Sequence, residues 1–326
     1  MTAAFLFKLQ SIFGTNNKED PKMHAATPFN PKISAAYTAV LLIWSTTPLA
    51  IVWSSASMHP ILAVAIRMLI ALVIGLGLIR LFHIRLPLNK TSLSLYSYSA
   101  IGVFGGMAFS YLATWYIQSG LISVIFGLAP ILSGLAGQKI LNEKPFSATR
   151  WLALIICLLG LAVIFKDALT TDNHTWVGIV CVLLAVSLFS FSGVMVKTVV
   201  ISIHPMATTV GALMVSVPLF IALWLIMGAE ITPEQWQAKS IYAIVYLGIF
   251  GSLVGFICFY YVLQKLTVSS VALVTLITPV VALFLGNQLN NEPVSLNLIL
   301  GASAILVGLS LYLWGDKLKG KIRVNS

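Results

Sequence analysis

Charge is the scarcest property of this 326-residue chain: Asp, Glu, Lys and Arg together supply 9% of it, while 59% is hydrophobic. An ordinary soluble domain carries roughly a quarter charged residues, so a water-soluble globule is excluded. Acidic residues are the fewest, nine in all, and each falls in a tail, a loop or the end of an apolar run. No carboxylate pair therefore stands ready for acid–base chemistry inside an apolar segment. The three cysteines, Cys157, Cys181 and Cys258, lie far apart within apolar runs and show no CxxC or Cys/His ligand spacing. That excludes a disulfide framework and a zinc site and leaves small packing residues. GxSxG, HExxH and P-loop patterns are missing and the five histidines are scattered, so we read no catalytic residue, no cofactor and no metal site. The apolar stretch from Met1 to Phe13 is interrupted by Lys8 and Gln10 and has no small-residue cleavage site, which argues against a signal peptide. A short interfacial helix followed by a polar linker from Asn16 to Pro31, or an unstructured tail, fits it.

What the chain has in abundance is long apolar runs. They cover about 33–54, 59–79, 93–117, 119–141, 148–165, 176–197, 205–227, 239–263, 267–289 and 296–315, and about 20 residues suffice to cross a hydrocarbon core of roughly 30 Å. The expected fold is an all-α membrane protein of ten transmembrane helices. Gln118 alone separates the third and fourth runs, and Lys265 and Leu266 mark the join of the eighth and ninth, so these pairs form tight antiparallel hairpins. With the N-terminus in the cytoplasm, every basic residue except Lys8, Arg67, Lys166 and Lys239 falls at the inner side. Only Lys166 and Lys239 then lie outside, a strong positive-inside bias that places both termini in the cytoplasm. The net charge of +10 is accordingly a topology signal and implies no nucleic-acid partner. The partners implied are the lipid bilayer and a small-molecule substrate; the oligomeric state is left open.

A shift of 149 residues carries Gly102, Gly106, Tyr111, Pro130, Gly137, Asn142 and Glu143 onto Gly251, Gly255, Tyr260, Pro279, Gly286, Asn291 and Glu292. A shift of 145 carries His59-Pro60 onto His204-Pro205. The chain thus divides into a tail at 1–32, a five-helix repeat at 33–165, a second repeat at 176–315 and a basic tail at 316–326. Because five is odd, the second repeat enters the membrane from the opposite side. Two inverted five-helix repeats place a substrate site near the midplane between them.

Trp44-Ser45-Thr46-Thr47-Pro48, Arg67 following His59-Pro60, and the stretches Pro130 to Glu143 and Pro279 to Glu292 resemble the drug/metabolite transporter superfamily in its EamA-type branch. The resemblance covers roughly residues 33–315. It implies a ten-span carrier whose central cavity is lined by the first, third, fourth, sixth, eighth and ninth helices, with members that mostly export amino acids or other metabolites, here across a bacterial inner membrane. The sixth span departs from the first: Ser190-Phe191-Ser192-Gly193 stands where the first reads Trp44-Ser45-Thr46-Thr47. A drug efflux carrier and a non-transporting scaffold or sensor are the alternatives.

Candidate substrate-binding residues are Trp44, Ser45, Arg67, Tyr111, Trp115, Ser190, Tyr260 and Thr275. Aromatic faces with polar tips suit amphipathic solutes, and hydroxyls can bond a ligand or their own helix backbone. Arg67 lies about 12 Å of helix rise inside the second span, where a guanidinium is costly without water or a partner. It either attracts an anion or anchors its helix. Pro130 and Pro279 interrupt the fourth and ninth spans and free backbone carbonyls, and Glu143 and Glu292 close those spans at opposite faces; these four are candidates for helix breaks and gating. With no acidic residue in mid-span, transport is expected to run on the substrate gradient, or on an ion held by carbonyls near Pro130 and Pro279.

Overall fold

The computed structural model describes residues 31–324 except 172–173, 229, 267–270 and 272–273, without side chains for 167–171 and 316–324. The expected N-terminal interfacial helix lies outside the described residues, as do the side chains of the C-terminal basic tail. Among the described residues the fold is wholly helical. In chain order it runs α1 (Pro31–Ser54), α2 (Pro60–Leu81), α3 (Lys90–Ala100), a π-helical stretch Ile101–Gly106, α4 (Met107–Ala113), α5 (Ser119–Phe126) and α6 (Ala129–Ile140). It continues with α7 (Ala148–Thr171), α8 (Thr175–Thr198), α9 (Pro205–Met227), α10 (Ala238–Tyr246), a second π-helical stretch Leu247–Val254, α11 (Gly255–Lys265), α12 (Val274–Asn290) and α13 (Leu296–Val324).

Among the described residues, eight helical runs are long and apolar enough to cross a membrane: α1, α2, Ser119–Ile140, Ala148–Lys166, α8, α9, Ala238–Lys265 and Leu296–Gly315. The chain is an integral, multi-pass membrane protein. Two of the ten expected spans differ from these. The described part of the ninth is the shorter apolar helix Val274–Asn290. The third, Lys90–Ala113, is helical throughout but opens with Ser92, Ser94, Ser97, Ser99, Tyr96 and Tyr98, which lower its hydropathy.

Local chemistry recurs between the halves. His59 and His204 each stand before a helix whose first residue is proline, and each imidazole Nδ1 accepts the amide two residues on at 3.2 Å. Proline suits that position because its missing N–H is one the first turn cannot use anyway. Asn142 and Asn291 adopt φ of 52° and 50°, the left-handed stop common after a helix. The amides of Glu143 and Glu292 then reach back to the carbonyls of Gly137 and Gly286 at 3.2 and 3.1 Å. Each carboxylate packs against its glycine, where a Cβ would meet it. Both π-helical stretches carry a glycine of the repeat, Gly102 and Gly251, and π-turns recur at functional sites.

α7 and α13 pack closely along Gly160, Gly301 and Gly308. A Cβ on Gly160 would sit 2.6 Å from the Gly301 carbonyl, and one on Gly308 2.6 Å from Cys157 Sγ. Small residues bring backbones together in lipid, where no hydrophobic drive between helices exists. Cys157, Cys181 and Cys258 are free thiols. The leucines on the outer faces of α7 and α9, such as Leu159 and Leu225, are more than half exposed, as lipid-facing positions must be.

Candidate functional site

α1, α6, α8, α11 and α12 border a small cavity of about 20 Å³ lined by Trp44, Ser133, Phe189, Ser190, Phe259 and Thr275, with further small and aliphatic residues between them. Its size is that of a single water. Three rings form one wall: Trp44 meets Phe189 edge-on at 5.5 Å and Phe259 at 5.2 Å, and Phe189 meets Phe259 at 5.2 Å. Ser133, Ser190 and Thr275 also line the cavity. No lining side chain is ionisable, so the cavity offers π-faces and neutral hydrogen bonds and no fixed charge.

The interruption that Pro130 signals borders this cavity. Ser119–Ile140 breaks at Gly127 and Leu128, and Pro130 starts the helix that resumes; the carbonyl of Ala129 accepts from Ser190 Oγ at 3.3 Å. Pro279 lies inside α12, and because it has no N–H, the Thr275 carbonyl four residues earlier loses its helical donor. That carbonyl faces Gly127, 3.7 Å from where a Cβ would be. The break between α5 and α6 therefore lies against α12, which stays helical through Pro279, so the expected break of the ninth span there is not seen.

Of the residues anticipated from sequence, Trp44, Ser190 and Thr275 meet at the cavity. Ser45 does not reach it, because its hydroxyl donates to the Leu41 carbonyl at 2.7 Å. Tyr260 is buried behind the wall, its ring 5.2 Å from Phe259. Trp115 is 49% exposed and packs edge-on against His59 at 4.9 Å, remote from the lining residues. Arg67 and Tyr111 form a separate buried node. Arg67 Nε donates to Ser252 Oγ at 2.7 Å, Nη1 donates to the Tyr111 hydroxyl at 3.3 Å, and the guanidinium lies 5.8 Å from the Tyr111 ring centre. Ser54 also donates to that hydroxyl, at 3.4 Å. Arg67 is fully buried, and it ties α2 to α4 and to the π-helical stretch before α11.

The two carboxylates have different surroundings. Glu292 is buried and accepts from Ser119 N, Ser119 Oγ, Gly120 N and Asn290 Nδ2 at 2.8–3.2 Å. It caps the N-terminus of α5, where anions are favoured. Glu143 is exposed above Gly137, and its repeat-equivalent partners fall at 268 and 269, outside the described residues. On the same side Lys197 Nζ donates to the Leu266 carbonyl at 2.7 Å and Gln264 Nε2 to the Ile203 carbonyl at 2.8 Å.

Sequence reasoning missed Ser133, Phe189, Phe259 and Ser252. Phase could have found two of them: Phe189 and Ser190 share a helix face with Gly193, and Ser133 stands three residues after Pro130.

An apolar helical bundle with a small uncharged cavity beside an interrupted helix is the architecture of a membrane transporter. The sequence profile of the EamA-like transporter family matches residues 33–166 and 176–314, and the chain belongs to that family. It is 27% identical over 288 residues to the uncharacterized transporter YoaV of Bacillus subtilis, covering 85% of this chain and 95% of that one. An uncharacterized transporter of Archaeoglobus fulgidus is 30% identical over 215 residues, covering 64% and 74%. The uncharacterized inner membrane transporter YedA of Escherichia coli is 24% identical over 290 residues, covering 86% and 92%. A solved protein crystal structure superposes with a TM-score of 0.61 at 16% identity over 87% of this chain and 98% of that one, a likeness of fold alone.

Proposed function

We propose that this protein is a secondary carrier that exports small amphipathic metabolites, amino acids or related solutes among them, by alternating access to the cavity at Trp44. The observation that carries the reading is the cavity itself, whose aromatic rings and hydroxyls come from both halves of the chain. A site shared between the halves is what alternating access requires. Lys90–Ala113 and the helix containing Val274–Asn290 complete ten crossings, the halves are inserted oppositely, and both termini lie in the cytoplasm. The membrane is a bacterial inner membrane, as the name of YedA states for that relative.

In this reading Trp44, Ser190 and Thr275 contact substrate together with Phe189, Phe259 and Ser133. Arg67 is an anchor, since two of the five guanidinium N–H groups bond Ser252 and Tyr111 on other helices. Pro130 supplies the flexible break, and Glu292 and Glu143 latch helix ends at opposite faces. The test is counterflow in sealed proteoliposomes with a panel of amino acids, nucleobases and organic cations. A solute with an apolar or aromatic body and neutral hydrogen-bonding groups is expected to move, and Trp44→Ala to slow it at least tenfold. Failure of every solute, or an unchanged rate in the variant, contradicts the proposal.

A further inference from the structure

A second concavity, sharing no lining residue with the first, opens on the outside of the bundle between α1, α10 and α12. It is a groove of about 510 Å³ whose walls include Leu49, Ala50, Leu285 and Leu289. Its deep end is closed by Tyr246, whose hydroxyl lies 2.6 Å from Thr46 Oγ1. Its mouth is marked by Lys239, which is exposed, borders the groove and stands with Nζ 4.2 Å from the Trp53 ring centre. One helical turn on, Tyr242 is 74% exposed.

The mouth is held in place from three sides. Trp53 Nε1 donates to Asn290 Oδ1 at 2.8 Å, Ser240 Oγ donates to the Trp53 carbonyl at 2.7 Å, and the Gln237 amide donates to Ser57 Oγ at 3.0 Å. Trp53, beneath Lys239, is therefore fixed to α12 and to the start of α10. No carboxylate pairs with Lys239 among the described residues. The groove thus joins a long apolar trough to one cation, flanked by a tryptophan and a tyrosine of the kind that settles at headgroup level.

We propose that this groove binds one membrane phospholipid, with an acyl chain along Leu49, Leu285 and Leu289 and the phosphate on Lys239. A bilayer presents that chemistry at that depth, and long Lys side chains meet lipid headgroups from helix ends. A soluble metabolite would have little reason to enter a trough so poor in hydrogen-bonding groups, whereas an acyl chain needs none. The proposal rests on insertion in a membrane and not on transport, so its failure leaves the transport reading intact.

The experiment is native mass spectrometry of full-length, delipidated protein titrated with dioleoylphosphatidylglycerol, with dioleoylglycerol and inorganic phosphate as separate arms. A single bound phospholipid is expected. Loss of one basic contact near a membrane surface corresponds to about fivefold weaker retention, which Lys239→Gln should show and Lys239→Arg should reverse. Leu289→Trp, at an exposed wall position, should displace the lipid without touching Lys239. Retention unchanged in both Lys239→Gln and Leu289→Trp overturns the site, as does dioleoylglycerol binding as tightly as the phospholipid. Equal competition by inorganic phosphate alone also overturns it, since the acyl trough would then contribute nothing.

Discussion

Removing the guanidinium of Arg67 separates the anchoring role from ligand contact. Arg67→Ala leaves Ser252 Oγ without its buried donor and the Tyr111 hydroxyl with Ser54 at 3.4 Å, and an unsatisfied buried polar group costs about 1–3 kcal/mol. Relief from holding a charge in a dry site offsets part of this, so a net loss of about 1–2 kcal/mol is expected. Arg67→Ala and Ser252→Ala, singly and together, form a double-mutant cycle read by reversible unfolding in bicelles. Hydrogen bonds to charged groups contribute about 1.5–3 kcal/mol, whereas interhelical pairs in lipid average about 0.6 kcal/mol. A coupling energy above about 1.5 kcal/mol marks Arg67 as the anchor of α2; one below about 0.5 kcal/mol refutes the reasoning. Arg67→Gln then tests transport: an anchor lowers flux of anionic and cationic solutes alike, whereas loss confined to anions assigns the guanidinium to the ligand.

Glu292→Gln removes the charge that caps α5 and is expected to cost about 1–2 kcal/mol in thermal unfolding; exposed Glu143→Gln should cost less than half of that, and equal losses would contradict the assignment. Burial holds the His59 imidazole below its ordinary value of 6.5, so its neutral form accepts the Ile61 amide and folding stability should decline as pH falls below 6.5; the loss should vanish in His59→Asn, which keeps an acceptor that does not titrate. Because no acidic residue lies in mid-span, a pH gradient imposed on proteoliposomes at fixed substrate gradient should leave initial flux unchanged. Accumulation driven by that gradient and abolished in Glu292→Gln or Glu143→Gln would show an edge carboxylate to be the coupling group. Cysteines introduced at 89 and 173 should label from opposite sides of the membrane, in line with the charge bias; labelling from one side would refute opposite insertion of the halves.

Much of the architecture was legible because a bilayer leaves few solutions: long apolar runs become helices, and the chain's hairpin signals fall where helices end. The repeat located both the left-handed stops at Asn142 and Asn291 and the paired histidine caps. The same repeat misled where the halves diverge. Tyr111 and Tyr260 are equivalent by the 149-residue shift, yet Arg67 corresponds to Ala212 under the neighbouring 145-residue shift. Only Tyr111 therefore meets a guanidinium, and Tyr260 turns into packing behind Phe259. Ser45 was unreadable for another reason: in an apolar helix a hydroxyl can bond the carbonyl one turn earlier on its own backbone, as Ser45 does with Leu41. Phe189 and Phe259 look like any apolar residue of a spanning helix, and only the packing of α8 and α11 around Trp44 makes them a wall.

Alternating access to the cavity is the central claim, and Thr275 is the position that reports it, being buried, on the cavity wall and one turn before Pro279. With Cys157, Cys181 and Cys258 replaced by serine or alanine, Thr275→Cys is exposed to a membrane-impermeant thiol reagent applied to right-side-out or inside-out vesicles. The account predicts slow labelling from each side, slowed further by a transported solute. Labelling from neither side, or from one side only whatever solute is present, would contradict it.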